Sequence, residues 1–108
     1  MQPKRIDYYV TDSGEKPFLG WISKLSPKIQ QKIDRRIMKV AEGGSKKNVK
    51  ALKDGTFEIK FDFGPGYRVY FGEKENVLIL LLMGGDKSSQ SKDILKAKKY
   101  WRNYAQKK

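Results

Sequence analysis

Histidine and cysteine are both missing from this chain of 108 residues. Without cysteine there is no disulfide framework and no thiolate nucleophile. Without histidine, the commonest general base and the commonest zinc ligand are lost together. Acid–base work therefore falls to Asp, Glu, Lys, Arg or Tyr. Long apolar runs are also scarce. The longest, Val77 to Met83, is far short of the roughly 20 residues that a membrane-spanning helix needs. The opening MQPKRIDYYV has no apolar h-region and no cleavage site, so the expectation is a cytoplasmic protein with no membrane partner. No repeat or low-complexity linker divides the chain, and 1–108 is read as a single domain.

Acidic side chains are few beside the basic ones. Lys and Arg number 24 against 12 Asp and Glu, a net charge of +12. Solubility alone rarely asks for more than roughly 2–8 charges on a small domain. The excess points to a polyanionic or acidic partner, nucleic acid above all, with an anionic membrane surface as the weaker competitor.

Periodicity gives the elements. RIDYYV (5–10) is rich in β-formers and reads as a strand. After the turn chemistry of TDSGEKP, the residues Phe18, Trp21, Ile22 and Leu25 mark one face of a short helix that begins at Pro17. Ser26 and Pro27 cap and open a second helix, with Ile29, Ile33, Ile37 and Val40 on its apolar side and Glu42-Gly43-Gly44 as its stop. These two helices are expected to pair as a hairpin. SKKNVKALKDG (45–55) reads as a polar connection. TFEIKFDF (56–63) alternates as a strand, and GPG (64–66) turns the chain. YRVYFG (67–72) is a strand, EKEN (73–76) a hairpin turn, and VLILLLMG (77–84) a strand apolar on both faces, hence central and covered on both sides. A last helix starts near Ser91, with Ile94, Ala97, Trp101 and Tyr104 as its stripe. The predicted order is β-α-α-β-β-β-α, an α+β fold.

Three stretches carry possible chemistry. GGDKSS does not meet the phosphate-loop spacing, because Asp86 separates Gly85 from Lys87. From pattern alone it is an ordinary strand-to-helix connection, with Ser or Asp as the cap, before it is a site. On the middle strands, Glu58, Lys60 and Asp62 share a polar face with Arg68 and Tyr70. That face is either solvated or a surface for phosphates and bases, with Arg68 and Lys60 approaching across the strands and Tyr67 or Tyr70 near them. From Lys87 to Lys108 there are eight basic residues and one acid, Asp93. This exceeds what a helix dipole favours and suits a phosphate-facing surface, with Lys92, Lys96 and Lys99 as its RNA-binding candidates.

FDFGPGYRVYF followed by LLLMGGDKSSQSKDILKAKKYW resembles the addiction-module killer proteins, the HigB-like branch of the RelE toxin superfamily. YYVTDSGEKPFLGWISKL is similar to that branch too, so the resemblance spans nearly the whole chain. It implies a RelE-like fold: a small, mostly antiparallel sheet, an N-terminal helical hairpin and a C-terminal helix. It implies a toxin of a type II toxin–antitoxin module that cuts mRNA in the ribosomal A site, with no cofactor and no metal. The RNA's own 2′-OH would attack the neighbouring phosphate. By position, Arg68 matches the family's phosphate-clamping arginine, Lys87 a basic residue beside the leaving group, and Lys60 a basic position on the preceding strand. Tyr67 and Tyr70 would stack bases. The chain departs from RelE where that toxin has a catalytic tyrosine; here the region reads SSQSKD. Asp86 and Asp93 stand as acid–base candidates by chemistry rather than motif. The implied partner is a HigA-like helix-turn-helix antitoxin, with operator DNA bound only through that complex. The competing expectation is a non-catalytic RNA- or ribosome-binding module that serves as the basic partner of such an antitoxin.

Overall fold

The computed structural model describes residues 3–75 and 77–107. Met1 and Gln2, Asn76 at the end of the predicted 73–76 turn, and Lys108 at the end of the basic tail lie outside the described residues. The elements run β1 (Arg5–Tyr8), α1 (Pro17–Ile22), α2 (Pro27–Ala41), β2 (Val49–Lys53), β3 (Thr56–Lys60), β4 (Arg68–Lys74), β5 (Leu78–Gly85), a 3₁₀ turn (Lys87–Ser89) and α3 (Gln90–Gln106).

The helices form where the apolar period and the caps agree. Pro17 opens α1. The Ser26 hydroxyl accepts from the Ile29 amide, Pro27 follows it, and Ile33, Ile37 and Val40 are buried as the 3.6-residue period requires. In α3 the stripe centres on Ala97, which is fully buried, with Ile94, Trp101 and Tyr104 packed around it.

The strands form one sheet in the order β1-β5-β4-β3-β2. Neighbours are antiparallel except β1 and β5, which run parallel. The α+β class and mostly antiparallel sheet are as the sequence predicts, but with one strand more. β2 occupies the stretch read as a polar connection. It is an edge strand in which only Leu52 is buried, so it lacks the alternation that marks a strand.

Two apolar clusters sandwich the sheet. One gathers Phe18, Ile33, Ile37, Ile59, Val69, Phe71, Ile79 and Leu81 beneath α1 and α2. The other gathers Tyr70, Leu80, Leu82, Met83 and Ala97 beneath α3. β5 is buried along its whole length between these layers, as its unbroken apolar run requires. A bulge interrupts the β4–β5 ladder: Tyr70 faces Met83 and Phe71 faces Leu81, so Leu82 is the extra residue. It switches the side to which the end of β5 points. Gly84 then lies against the Trp21 ring on the α1 side, and Gly85 lies against Asp93 on the α3 side. A Cβ at either glycine would overlap its neighbour, so the close approach of both helices depends on the pair.

Candidate active site

Three strand ends meet at one edge of the sheet. Lys60, the last residue of β3, pairs in register with Arg68, the first of β4, and Arg68 pairs with Gly85, the last of β5. The GPG turn and the GGDKSS stretch are therefore neighbours in space although about 20 residues apart in sequence. Contacts fix the junction. The Lys87 amide donates to the Pro65 carbonyl at 3.4 Å. The Arg68 guanidinium donates through Nη1 to the Gly66 carbonyl at 2.7 Å. A Cβ built on Gly66 would stand 3.2 Å from Arg68 Nη1 and 3.3 Å from Lys87 Cβ, so one backbone position touches both side chains. Lys87 and Lys60 are exposed, whereas Arg68 is only 5% exposed.

The polar face of the middle strands is not a solvated face. α3 covers it, and Thr56, Glu58, Arg68 and Tyr70 are all buried, leaving Lys60 exposed at the rim. Burial demands partners for these groups. Glu58 accepts from Gln90 Nε2 at 2.9 Å and lies 3.8 Å from Arg68 Nε. That distance is an ion pair without a hydrogen bond, and Arg68 Nε has no hydrogen-bond partner among the described residues. Tyr70 is fully buried and its hydroxyl is likewise unpartnered. Burial drives its pKa far above the usual tyrosine value; the charges of Glu58 and Asp93 add to the shift, as does the approach of the Glu58 carboxylate to the hydroxyl, which falls short of hydrogen-bond geometry. The expectation that Tyr70 stacks a base is corrected: a ring with no exposed face has no surface for a nucleotide.

Asp86 and Asp93, the acid–base candidates, both hold the start of α3. Asp86 accepts from the Ser88 amide at 2.9 Å and from the Ser88 hydroxyl at 2.6 Å, closing a capping box with Ser89. Those bonds, the hydroxyl's first, hold its carboxyl below the ordinary aspartate value. Asp93 accepts from the Ser89 hydroxyl at 2.5 Å and packs against Gly85. Each carboxylate is engaged as a structural acceptor, as is Glu58, which alternation placed on the polar face without showing its bond to Gln90.

The remaining candidates are dispersed. Tyr67 is half-buried in an aromatic set, edge-on to Trp21 at 6.1 Å and to Phe63 at 5.8 Å. Lys92, Lys96 and Lys99 are exposed along α3. Lys99 sits nine residues into the helix, about 13 Å from its start at 1.5 Å per residue. There it lines a different groove with Tyr9, Asp12 and Asn103. The residues brought together are Arg68, Lys87 and Lys60, with Glu58 and Gln90 behind them. Three cations converging on one rim can hold a phosphate and stabilise extra negative charge on it. Among the described residues, no three His, Cys, Asp or Glu side chains are grouped as metal ligands.

Comparison with known proteins places this rim in context. The family described as Phage derived protein Gp49-like (DUF891) matches residues 20–102, a span that holds the whole junction. A protein of Haemophilus influenzae described only as uncharacterized is 45% identical over 82 residues, covering 75% of this chain and 82% of its own length. Among solved structures, a doubly substituted E. coli toxin RelE in the free state is similar in fold, with a TM-score of 0.66 over 91% of this chain and 97% of that one. Their sequences are 19% identical.

Proposed function

This chain belongs to the phage-derived Gp49-like family, a family of RelE-type toxins, and from that premise we propose that it is the toxin of a toxin–antitoxin pair that cuts mRNA on the ribosome. The observation that carries the reading is the convergence of Arg68 and Lys87 on Gly66, with Lys60 across the strand. In this mechanism the 2′-oxygen of the RNA attacks the adjacent phosphorus in line. The bond from phosphorus to the 5′-oxygen breaks, leaving a 2′,3′-cyclic phosphate and a 5′-hydroxyl. Arg68 and Lys60 flank the crowded anionic phosphorane, and Lys87 supplies charge and a proton to the departing 5′-oxygen. The 2′-proton passes to solvent, since Glu58, Asp86 and Asp93 are all committed to neighbours. Rate enhancement then rests on orientation and electrostatics rather than on a strong base. A chain without histidine or cysteine suits that division of labour. The +12 charge suits an acidic antitoxin, and the HigB resemblance names a helix-turn-helix protein of HigA type, which would carry operator recognition for the pair.

Primer extension on mRNA after induction tests the reading. The wild-type chain should produce new 5′ ends, and Lys87→Ala should reduce them by about 10²–10³, the loss typical of one stabilising donor. Arg68 needs a milder change. Removing its charge strands buried Glu58 and destabilises the fold, so Arg68→Lys is the variant to use, with the melting temperature measured beside it. Full cleavage by a folded Lys87→Ala protein would sink the site. A second reading, binding to RNA or the ribosome without cutting, is favoured by the commitment of all three nearby carboxylates. It expects growth arrest or antitoxin binding with no new 5′ ends.

A further inference from the structure

Beside the rim, on the α2 side of the sheet, runs an open groove of about 380 Å³ lined by Lys32, Arg35, Arg36, Asn48, Lys60 and Phe63, with Phe61 and Asp62 completing its wall. Four basic residues and one acidic residue are among those that line it. Two are held in place before any ligand arrives. The Lys32 ammonium sits 4.9 Å over the Phe63 ring, and Arg36 donates through Nη2 to the Lys47 carbonyl at 2.5 Å. Lys32 and Arg35 are otherwise exposed, and no ion pair engages either of them among the described residues. Lys60 belongs to both places: it lies across the ladder from Arg68 and lines the groove.

We infer that this groove is a subsite for single-stranded RNA, in which the strand passing Arg68 and Lys87 continues over Lys60 and sets its flanking phosphates against Lys32, Arg35 and Arg36. The inference deepens the cleavage reading and rests on it for the direction of the strand. The physical case is local. A run of like charges on an exposed helix face is held against its own repulsion, and the α2 cations nearest the rim gain most from an anion that threads between them. The half-buried Phe63 at the groove wall adds an apolar surface that a duplex, with its bases stacked inside, would not use.

The test is binding, kept apart from cleavage. Fluorescein-labelled single-stranded RNA of about 4, 8 and 12 nucleotides is titrated against the purified chain by anisotropy. The titrations are repeated with Lys32→Ala/Arg35→Ala and with Lys28→Ala/Lys39→Ala. All four positions are exposed on α2 and both doubles remove the same charge, but only the first pair lines the groove. The groove double should bind about tenfold more weakly, with a salt slope shallower by roughly 1 to 1.5, as expected for two lost phosphate contacts. The control double should bind as the wild type does, and duplex RNA of equal length should compete poorly. Equal weakening by both doubles, no weakening by either, equal binding of duplex, or no binding by the wild type each overturns the subsite. A chain that binds through the groove yet yields no new 5′ ends keeps the subsite and loses the cleavage reading. One that cuts mRNA while the groove double binds normally does the reverse.

Discussion

Arg68 and Tyr70 are two residues apart on β4, and burial treats them alike while chemistry does not. Both side chains lie under α3 and both carry an atom without a hydrogen-bond partner among the described residues. For Arg68 the missing bond is offset by its contact with Gly66 and by the Glu58 carboxylate 3.8 Å away. Tyr70 has no such return, because an unpaired buried hydroxyl costs about 1–3 kcal/mol. Tyr70→Phe is therefore expected to raise the melting temperature rather than lower it, with mRNA cleavage unaffected. The pH dependence has a definite sign. A folded-state pKa far above the unfolded value near 10 means the folded chain holds this proton more tightly. Its contribution is fully present below pH of about 10 and is lost as pH rises beyond it. Thermal melts between about pH 8 and 11 should show the wild type falling faster than Tyr70→Phe at the alkaline end. A strongly destabilised Phe variant would mean that the hydroxyl has a partner, and parallel curves would mean that its proton is not specially held.

At the scale of elements, the sequence is legible where one period persists. α2 and α3 declare themselves by stripes of four apolar residues, and β5 by its unbroken run, because a buried helix or a doubly covered strand leaves little freedom in residue choice. β2 is hidden by its own edge position. Val49–Lys53 carries lysines that keep an exposed edge from pairing, and those same lysines make it look like a loop. The missed signal was Asp54-Gly55, a dipeptide suited to two-residue hairpin turns. Both residues have positive φ, 58° and 85°, as such a turn requires. Gly55→Ala should cost about 1–2 kcal/mol from the left-handed backbone alone, and its new Cβ would stand 3.0 Å from Trp101 Nε1. Asp54→Asn should leave the melting temperature nearly unchanged, since Asn accepts that conformation as readily. Equal tolerance of both would show that the hairpin does not depend on this turn. The candidate site was less legible than the fold. Alternation told which residues share the face of Glu58 and Arg68, but not that α3 lies over it. Nothing in the spacing of Arg68 and Lys87 says that they belong to one site; that expectation came from the family resemblance, and the contact of both with Gly66 is seen only in the structure.

For the molecule as a whole, the question is how much of the +12 charge acts at one place. Two groups account for nine of the 24 cations. Lys60, Arg68 and Lys87 at the rim join Lys32, Arg35 and Arg36 in the groove, while Lys92, Lys96 and Lys99 follow the outer side of α3. Counterion release distinguishes these arrangements, because each phosphate neutralised on a single strand contributes about −0.7 to the slope of log K against log salt. Six engaged cations at the rim and groove give a slope near −4 for an RNA long enough to cover both, whereas a strand that also tracks α3 gives a steeper one. Replacing Lys92, Lys96 and Lys99 together by Gln should then leave the slope within about one unit of the wild type, though the net charge falls by three. The distinction bears on function, since a surface that grips RNA everywhere holds it in no register, while a short charged path ending at Arg68 and Lys87 presents one phosphate for cutting. A slope that collapses in the α3 triple variant would move the RNA path from the sheet rim to α3, and with it the case for Lys60 and the groove.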